Sequence, residues 1–340
     1  MKNKTAPVFS KDMSGMIKGV AILMMLAHHC FAFPDFWLDG FRVGTIPAMI
    51  SNHFKICVAV FAFITGYGFC VGRSNTYKDV IRKLINFLGQ YWLQLFLIFL
   101  PIACVGFTFS LERMLYNLIA LYDNIILFAW YVFFHCCVLL TFPLAKRLLN
   151  KGPAWDLAVV LAGGYGITVF LYFLPVNGPL ISMLIDCACY YPIVGMGYLV
   201  AKYGVFDRFG PKLPLSAALA LIPAVFALRM GVSVVKGFSF DVFYAPLLVL
   251  VLCRVLDKCR FAHKGLLFFG KYSFQMWLFH SIFFSAYTRG LMQPLVSWSS
   301  IPIVRFLLVT VLSVVAAVLI DRLWRYILFF FGQMRKRIRR

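Results

Sequence analysis

The stretch Met16-Ile-Lys-Gly-Val-Ala-Ile-Leu-Met-Met-Leu-Ala-His-His29 places Lys18 and the adjacent pair His28 and His29 inside one apolar run. Taking an ionisable side chain into hydrocarbon costs roughly 2.5 to 3.5 kcal/mol on insertion scales, so such residues mark a functional site by default. The first question is therefore whether this run crosses a membrane.

Composition says that it does. The chain has 340 residues, 62% of them hydrophobic, with 37 Phe and only 13% charged. A soluble domain is about half apolar and a quarter charged. The formal charge of +21 does not point to nucleic acid, because Lys and Arg recur in short clusters between apolar runs rather than on one face or tail. Most of the ten cysteines lie inside apolar runs (Cys30, Cys57, Cys104, Cys136, Cys137, Cys187, Cys189), where cysteine packs as a small hydrophobe. No structural disulfide is expected. No metal site is expected either, since Cys187 and Cys189 lack zinc-ligand spacing and no histidine is close in sequence. The first run lacks a convincing small-residue cleavage site, so it is read as a retained span and not a signal peptide.

Crossing about 30 Å of hydrocarbon takes about 20 residues at 1.5 Å each. Ten runs are candidates: Ile17 to Phe33, His53 to Val71, Leu84 to Gly106, Asn124 to Leu144, Leu157 to Leu174, Ile181 to Ala201, Leu215 to Leu228, Asp241 to Leu256, Phe268 to Tyr287 and Pro302 to Leu323. The seventh and eighth are the shortest. With the N-terminus in the cytoplasm, the basic clusters around Lys2, Lys78, Lys146, Lys202, Lys258 and everything from Arg322 onward fall inside. Only Arg42, Arg113, Arg229, Lys236 and Arg289 fall outside. The positive-inside rule thus favours an all-α bundle of about ten transmembrane helices with both termini cytoplasmic. The expectation is a single integral membrane domain over 1–340, located in the cell membrane, with a basic tail from about 326. The tail Arg335-Lys-Arg-Ile-Arg-Arg reads as a stop signal held by anionic lipid. The outer loops Asp35 to Asn52 and Phe107 to Asp123 are long enough for small lids, the second with an amphipathic pattern (Leu111, Leu115, Leu118, Ile119).

Span direction sorts the polar residues by depth. Lys18 lies toward the cytoplasm and His29 about 16 Å further out. In the ninth span Lys271 and Ser273 lie inward and His280 deeper, while the inward-running sixth span places Asp186 in its outer part. His29, His280 and Asp186 are therefore expected to share an outward-facing pocket above Lys18, Lys271 and the basic loop of Arg82 and Lys83. An imidazole with its ordinary pKa near 6.5 suits proton transfer, and a carboxylate can fix its tautomer. The basic level suits a polyanion. Plainer readings compete. His29 and Asp186 can serve helix packing. His28 points about 100° away from its neighbour. His135, beside Trp130 and Tyr131, fits either a structural role or a pocket wall, and Arg82 and Lys83 are explained by topology alone. His53 and His263 are expected to be solvated.

These residues carry a resemblance. Lys18 and His29, separated by ten residues, resemble the basic residue and histidine that mark the membrane-bound acyltransferase family three. Val60-Phe-Ala-Phe-Ile-Thr-Gly-Tyr is similar to its Phe-rich run ending in Ser-Gly-Phe, and Arg82-Lys-Leu through Gln90-Tyr-Trp to its basic loop and aromatic helix start. Gly270-Lys-Tyr-Ser-Phe-Gln-Met-Trp-Leu-Phe-His is similar to its late Gly-x-x-Ser and His helix, and Trp130-Tyr-Val to a middle-span start. Together these cover most of the chain in order, and they match the short, membrane-only members. Three positions depart: Lys18 stands for the usual Arg and cannot make a planar bidentate contact, Thr65 stands for Ser, and Arg82 and Lys83 are adjacent where the family spaces its arginines.

The resemblance implies transfer of an acyl group, most often acetyl, from cytoplasmic acyl-coenzyme A to a hydroxyl of an extracytoplasmic glycan or lipid-linked sugar, without a metal. His29 is then the general base or transient acyl acceptor, oriented by Asp186, with His280 in the same pocket. Lys18 stabilises the oxyanion or thioester, and Arg82, Lys83, Lys271 and Ser273 hold the donor. His28, Trp130, Tyr131 and His135 line the substrate pocket, and Gly66, Gly68 and Ser273 admit the acyl chain. Partners are the acyl donor, the glycan acceptor and membrane lipids, not nucleic acid. The rival class is a transporter or exporter of a polysaccharide precursor or small acid using a Lys/His/Asp relay. The prolines Pro101, Pro143, Pro192, Pro223 and Pro246 do not pair between halves as inverted repeats would require.

Overall fold

The computed structural model describes residues 7–72, 76–121, 125–175, 178–235 and 238–338. Lys2, Lys4, Arg73, Asp123, Asn124, Lys236, Arg339 and Arg340, which entered the topology reading, lie outside the described residues. The protein is about 80% helical. Its principal helices are α1 (Lys11–Phe31), α2 (Thr45–His53), α3 (Ile56–Val71), α4 (Tyr77–Ala103), α5 (Leu111–Leu118), α6 (Trp130–Ala145), α7 (Pro153–Tyr172), α8 (Pro179–Lys202), α9 (Leu215–Gly231), α10 (Asp241–Lys258), α11 (His263–His280) and α12 (Pro302–Ile338). A two-stranded antiparallel ribbon pairs Val234 with Ser239 and Val235 with Phe238 between α9 and α10.

Among the described residues seven helices are long and apolar enough to cross a membrane, or eight if Val205–Lys212 and Leu215–Gly231, bent by 115°, count as one span. The protein is a membrane protein. All ten expected runs are largely helical, but three fall short of a span by length or composition. The helix α9 has 17 residues. The 18 residues of α10 include Asp241, Arg254, Asp257 and Lys258, and the 18 of α11 include Lys264 and Lys271. A helix walled by other helices need not be apolar all round, and α11 is wedged between α1 and α12. Several boundaries differ from the sequence reading, among them those of the ninth and fourth runs next to the site. The ninth run starts at His263 and stops at His280, where a 3-10 turn over Ser281–Phe283 takes over. The fourth starts only at Trp130, leaving residues 125–129 as irregular chain.

Small residues set the two closest crossings. A side chain at Gly19 would overlap the Leu266 carbonyl, and one at Gly270 the Gly15 carbonyl, so α1 and α11 meet backbone to backbone. Gly15 and Gly19 are a Gly-xxx-Gly pair, the spacing that lets membrane helices approach without a hydrophobic drive between them. The second crossing joins α3 and α8: Gly66 faces the Val194 carbonyl and Gly197 the Phe63 carbonyl. Gly66 is thus occupied in packing and lines no acyl path, in contrast to its expected role. In α4 the ladder widens to a π-turn at Leu95–Phe99 ahead of Pro101, whose ring and missing N–H do not fit a regular turn.

The two loops expected on the outer side are structured over their described residues. The first is stitched by Gln293, which accepts from Leu38 N at 2.6 Å and donates to the carbonyls of Phe36 (2.7 Å) and Phe283 (3.0 Å). Arg305 adds two bonds to Asp39, at 3.1 and 2.5 Å, under the rings of Trp37 and Phe41. The second loop carries α5, tied to α4 by Tyr91 and Trp92 donating to the carbonyls of Asn117 and Leu118. Leu111, Leu115 and Ile119 stay exposed, as in a helix lying in the membrane interface. His53 and His263, expected to be solvated, are engaged. Arg229, ion-paired to Asp241 at 2.8 Å, also contacts His53 Nδ1 at 3.3 Å and its carbonyl at 3.1 Å. His263 Nε2 donates to the Leu256 carbonyl at 2.6 Å.

Candidate active site

The α1–α11 seam places the last turns of both helices side by side. His29 lies in the last turn of α1 and His280 ends α11, and their rings meet with His29 Nδ1 2.6 Å from His280 Nε2. The direction of this bond can be assigned. His280 Nδ1 lies 3.3 Å from the Met276 carbonyl, which only accepts, so Nδ1 carries the proton and Nε2 is the acceptor. His29 therefore donates through Nδ1 and keeps a lone pair on Nε2. His280 is fully buried and His29 is 6% exposed, so only His29 offers its free nitrogen to the cavity that it lines.

The His29 ring is also fixed in plane. Phe128 stacks on it with centroids 3.7 Å apart and planes within 2°. Phe128 holds a φ of +68°, a left-handed conformation that costs a phenylalanine about 1–3 kcal/mol and persists only where its surroundings impose it. Phe33 packs edge-on to His28 at 5.0 Å, and His28 Nδ1 donates to the Ser51 carbonyl at 2.9 Å, tying α1 to α2.

The cavity measures about 690 Å³ and passes between α1, α3, α4, α6 and α11. At one end it reaches the surface at the exposed side chains of Lys83 and Lys271. Lys18, His135, Ser273, Trp130 and Tyr131 also line it. At the other end it reaches His28, Phe33 and the exposed Lys55. Among the described residues Lys18 has no carboxylate partner. Lys83 lies 5.9 Å over the Phe69 ring, Lys271 donates to the Tyr272 hydroxyl at 3.1 Å, and Ser273 donates to the Gly270 carbonyl at 3.0 Å.

Two candidates stand apart. Asp186 is exposed on α8 and is not in the cavity wall; the group against His29 is His280, not a carboxylate. Arg82 is not in the wall either. It is 73% exposed and lies 3.8 Å from Asp79, because adjacent residues on a helix diverge by about 100° and Lys83 takes the cavity side. Lys18 is in the wall, an eleven-residue rise of about 16 Å along α1 from His29.

An acyltransferase-domain family model matches residues 15–322. The chain belongs to acyltransferase family three. It is therefore an acyltransferase, and the family match spans every residue of the cavity wall. No curated protein and no solved structure matches the chain. Among the residues that line the cavity without having been singled out in the sequence are Lys55, Phe128, Gln90 and Gln275. Lys55 did leave a signal, a lone charge within a predicted span. Phe128 left none, because nothing in Ile-Leu-Phe-Ala marks a positive φ.

Proposed function

We propose that this acyltransferase moves an acyl group, acetyl in the simplest case, from a coenzyme A thioester at the Lys83 and Lys271 end to a hydroxyl of a glycan or lipid-linked sugar entering at the Lys55 end. The observation that carries this reading is one continuous cavity with point charges at its inner mouth and an oriented imidazole near its outer end. With ten crossings and both termini in the cytoplasm, the inner mouth faces the compartment that holds coenzyme A, in agreement with the positive-inside rule.

The chemistry follows from the tautomer. His29 Nε2 takes the proton of the acceptor hydroxyl as its oxygen attacks the thioester carbonyl. The tetrahedral intermediate collapses with cleavage of the C–S bond, and the thiolate takes the proton from Nε2. His280 holds the Nδ1–H and shares the charge of the transient imidazolium through the 2.6 Å bond. It does for His29 what an aspartate does in a catalytic triad, without placing a formal charge in the membrane. Phe128 and Phe33 exclude water that would hydrolyse the thioester. Lys18, Lys83 and Lys271 attract the donor's phosphates and polar arm, and Trp130, Tyr131 and His135 form the wall along which that arm lies.

A cavity whose wall includes exposed residues at both ends also fits a transporter for a small acid or saccharide precursor. Purified protein incubated with acetyl-coenzyme A and a soluble oligosaccharide separates the two. Free thiol released in step with acylated sugar supports transfer, and a protein that binds or moves the sugar with no thiol release refutes it.

A further inference from the structure

Two side chains in the cavity wall, Tyr131 and Gln275, hold a buried oxygen with no hydrogen-bond partner among the described residues. Gln275, on α11 and 5% exposed, lines the cavity, and among the described residues its Oε1 makes no hydrogen bond. The orientation of this amide is fixed by its neighbours. Gln90 Nε2 donates to the main-chain carbonyl of Asn86 at 3.0 Å, a group that only accepts. Gln90 must therefore present its Oε1, which accepts from Gln275 Nε2 in a short contact. Rotating the Gln275 amide to satisfy its oxygen would set two oxygens against each other. Gln90, anchored on the Asn86 main chain, thus leaves the amide oxygen of the cavity-lining Gln275 unmatched. A buried acceptor without a donor costs about 1–3 kcal/mol, a cost that a ligand N–H at this point would remove.

The position says which N–H. Gln275 lies five residues before His280 on a regular helix, about 7.5 Å toward the inner mouth. A donor whose thioester carbonyl sits at His29 and whose charged end sits near Lys271 must pass Gln275 on the way. In a pantetheine-type thioester two methylenes separate the sulfur from the first secondary amide, so that amide falls a few ångströms inward of the reacting carbon. We propose that Gln275, oriented by Gln90, is the recognition site for the secondary amide N–H nearest the thioester, and that it sets the depth at which the acyl carbon stops beside His29. This rests on the acyl-thioester reading above and adds a specificity to it.

The test compares two donors, S-acetyl-pantetheine and an otherwise identical thioester with a methylene in place of that N–H, using wild-type protein and Gln275→Leu with thiol release as the readout. The wild type should prefer the amide donor by about tenfold in kcat/KM, the size of one buried hydrogen bond. In Gln275→Leu the two donors should become equal, mainly through loss on the amide donor. Gln90→Leu, which frees the Gln275 amide to rotate, should reduce the preference without abolishing it. Equal use of both donors by the wild type overturns the inference, even if Gln275→Leu fails to fold. A variant that loses rate equally on both donors, keeping the tenfold ratio, also overturns it, since that is the mark of a structural role. No thiol release from either donor in the wild type refutes the acyl-transfer reading instead.

Discussion

The two ends of the cavity are built on opposite principles. At the inner end Lys83 and Lys271 are exposed, hold few bonds, and differ from Arg82 mainly in which way the helix turns them. At the outer end the His29 ring has a bonded nitrogen, a stacked phenylalanine and a seam of close-packed backbone behind it. Holding a polyanion needs charge and tolerates loose geometry, because Coulomb attraction falls off slowly. Passing a proton needs a lone pair at a fixed point and is harmed by stray charge in a low-dielectric site. The lesson is that the reacting end should be sensitive to small displacements and the capturing end to ionic strength.

The largest expected effect is at the reacting end. His29→Ala should lower kcat by about 10²–10⁴ with little change in donor KM, the pattern of a group acting only in the transition state. His280→Ala should follow it in direction with a smaller loss, because Nε2 of His29 remains but its tautomer is no longer held. Steady-state thiol release on both variants checks the pair, and a His280→Ala enzyme with wild-type kcat would dissolve the proposed dyad.

Displacement comes next. Gly19→Ala puts a methyl group into the Leu266 carbonyl, so α1 and α11 must separate and the imidazoles with them. A misplacement of about 1 Å can cost about 10²-fold in rate, and that loss is expected with the protein still inserted. Gly166→Ala, where a new methyl meets nothing within 4 Å, should keep the wild-type rate. Equal rates for the two variants would mean that the seam does not set the site.

The capturing end should respond differently. Lys83→Ala and Lys271→Ala should each raise the donor KM several-fold at unchanged kcat, and the difference should shrink as salt rises, since exposed charges are screened beyond about 8–10 Å at physiological ionic strength. Arg82→Ala should show neither effect. A matching rise in KM for Arg82→Ala would place the donor on the outside of α4 and not in the cavity.

The smallest effects sharpen the outer end. Asp186→Asn should change kcat by less than about twofold, because His29 is oriented by a neutral ring; a large loss would restore a carboxylate to the mechanism. Asp39 is held below the ordinary aspartate range by its hydrogen bonds to Arg305. A carboxyl with a lowered folded pKa contributes stability above its unfolded pKa and loses it as pH falls through the folded value. The loop over His29 should therefore keep its place at neutral pH and loosen only in acid, below the usual aspartate range. Trp37, whose ring face packs on Arg305, reports this by fluorescence, and a transition near neutrality would contradict it.

Much of the fold was legible because hydrocarbon forces a simple code. Apolar runs of sufficient length became helices, and Lys18, His29, Lys271 and His280 could be sorted by depth from direction alone. What stayed hidden was azimuth. Depth placed Asp186 level with His29, but the face of α8 that carries it points away from the cavity. Depth also treated Arg82 and Lys83 as equals, where one turn angle separates a cavity wall from open solvent. Gly66 looked like room for an acyl chain because a sequence shows that space exists at a glycine, not which neighbour fills it. Gln275 and Gln90 drew no attention because an uncharged amide in an apolar run is ordinary until its oxygen is found without a donor.

The central claim is that one cavity brings a thioester from one face to an oriented imidazole reached from the other. In proteoliposomes with the protein in a single orientation, acetyl-coenzyme A supplied to the face bearing Lys83 and Lys271 should release free thiol, and His29→Ala should stop it. The same donor supplied only to the face bearing Lys55 should release none. Thiol release from both faces alike, or undiminished release by His29→Ala, would contradict the account.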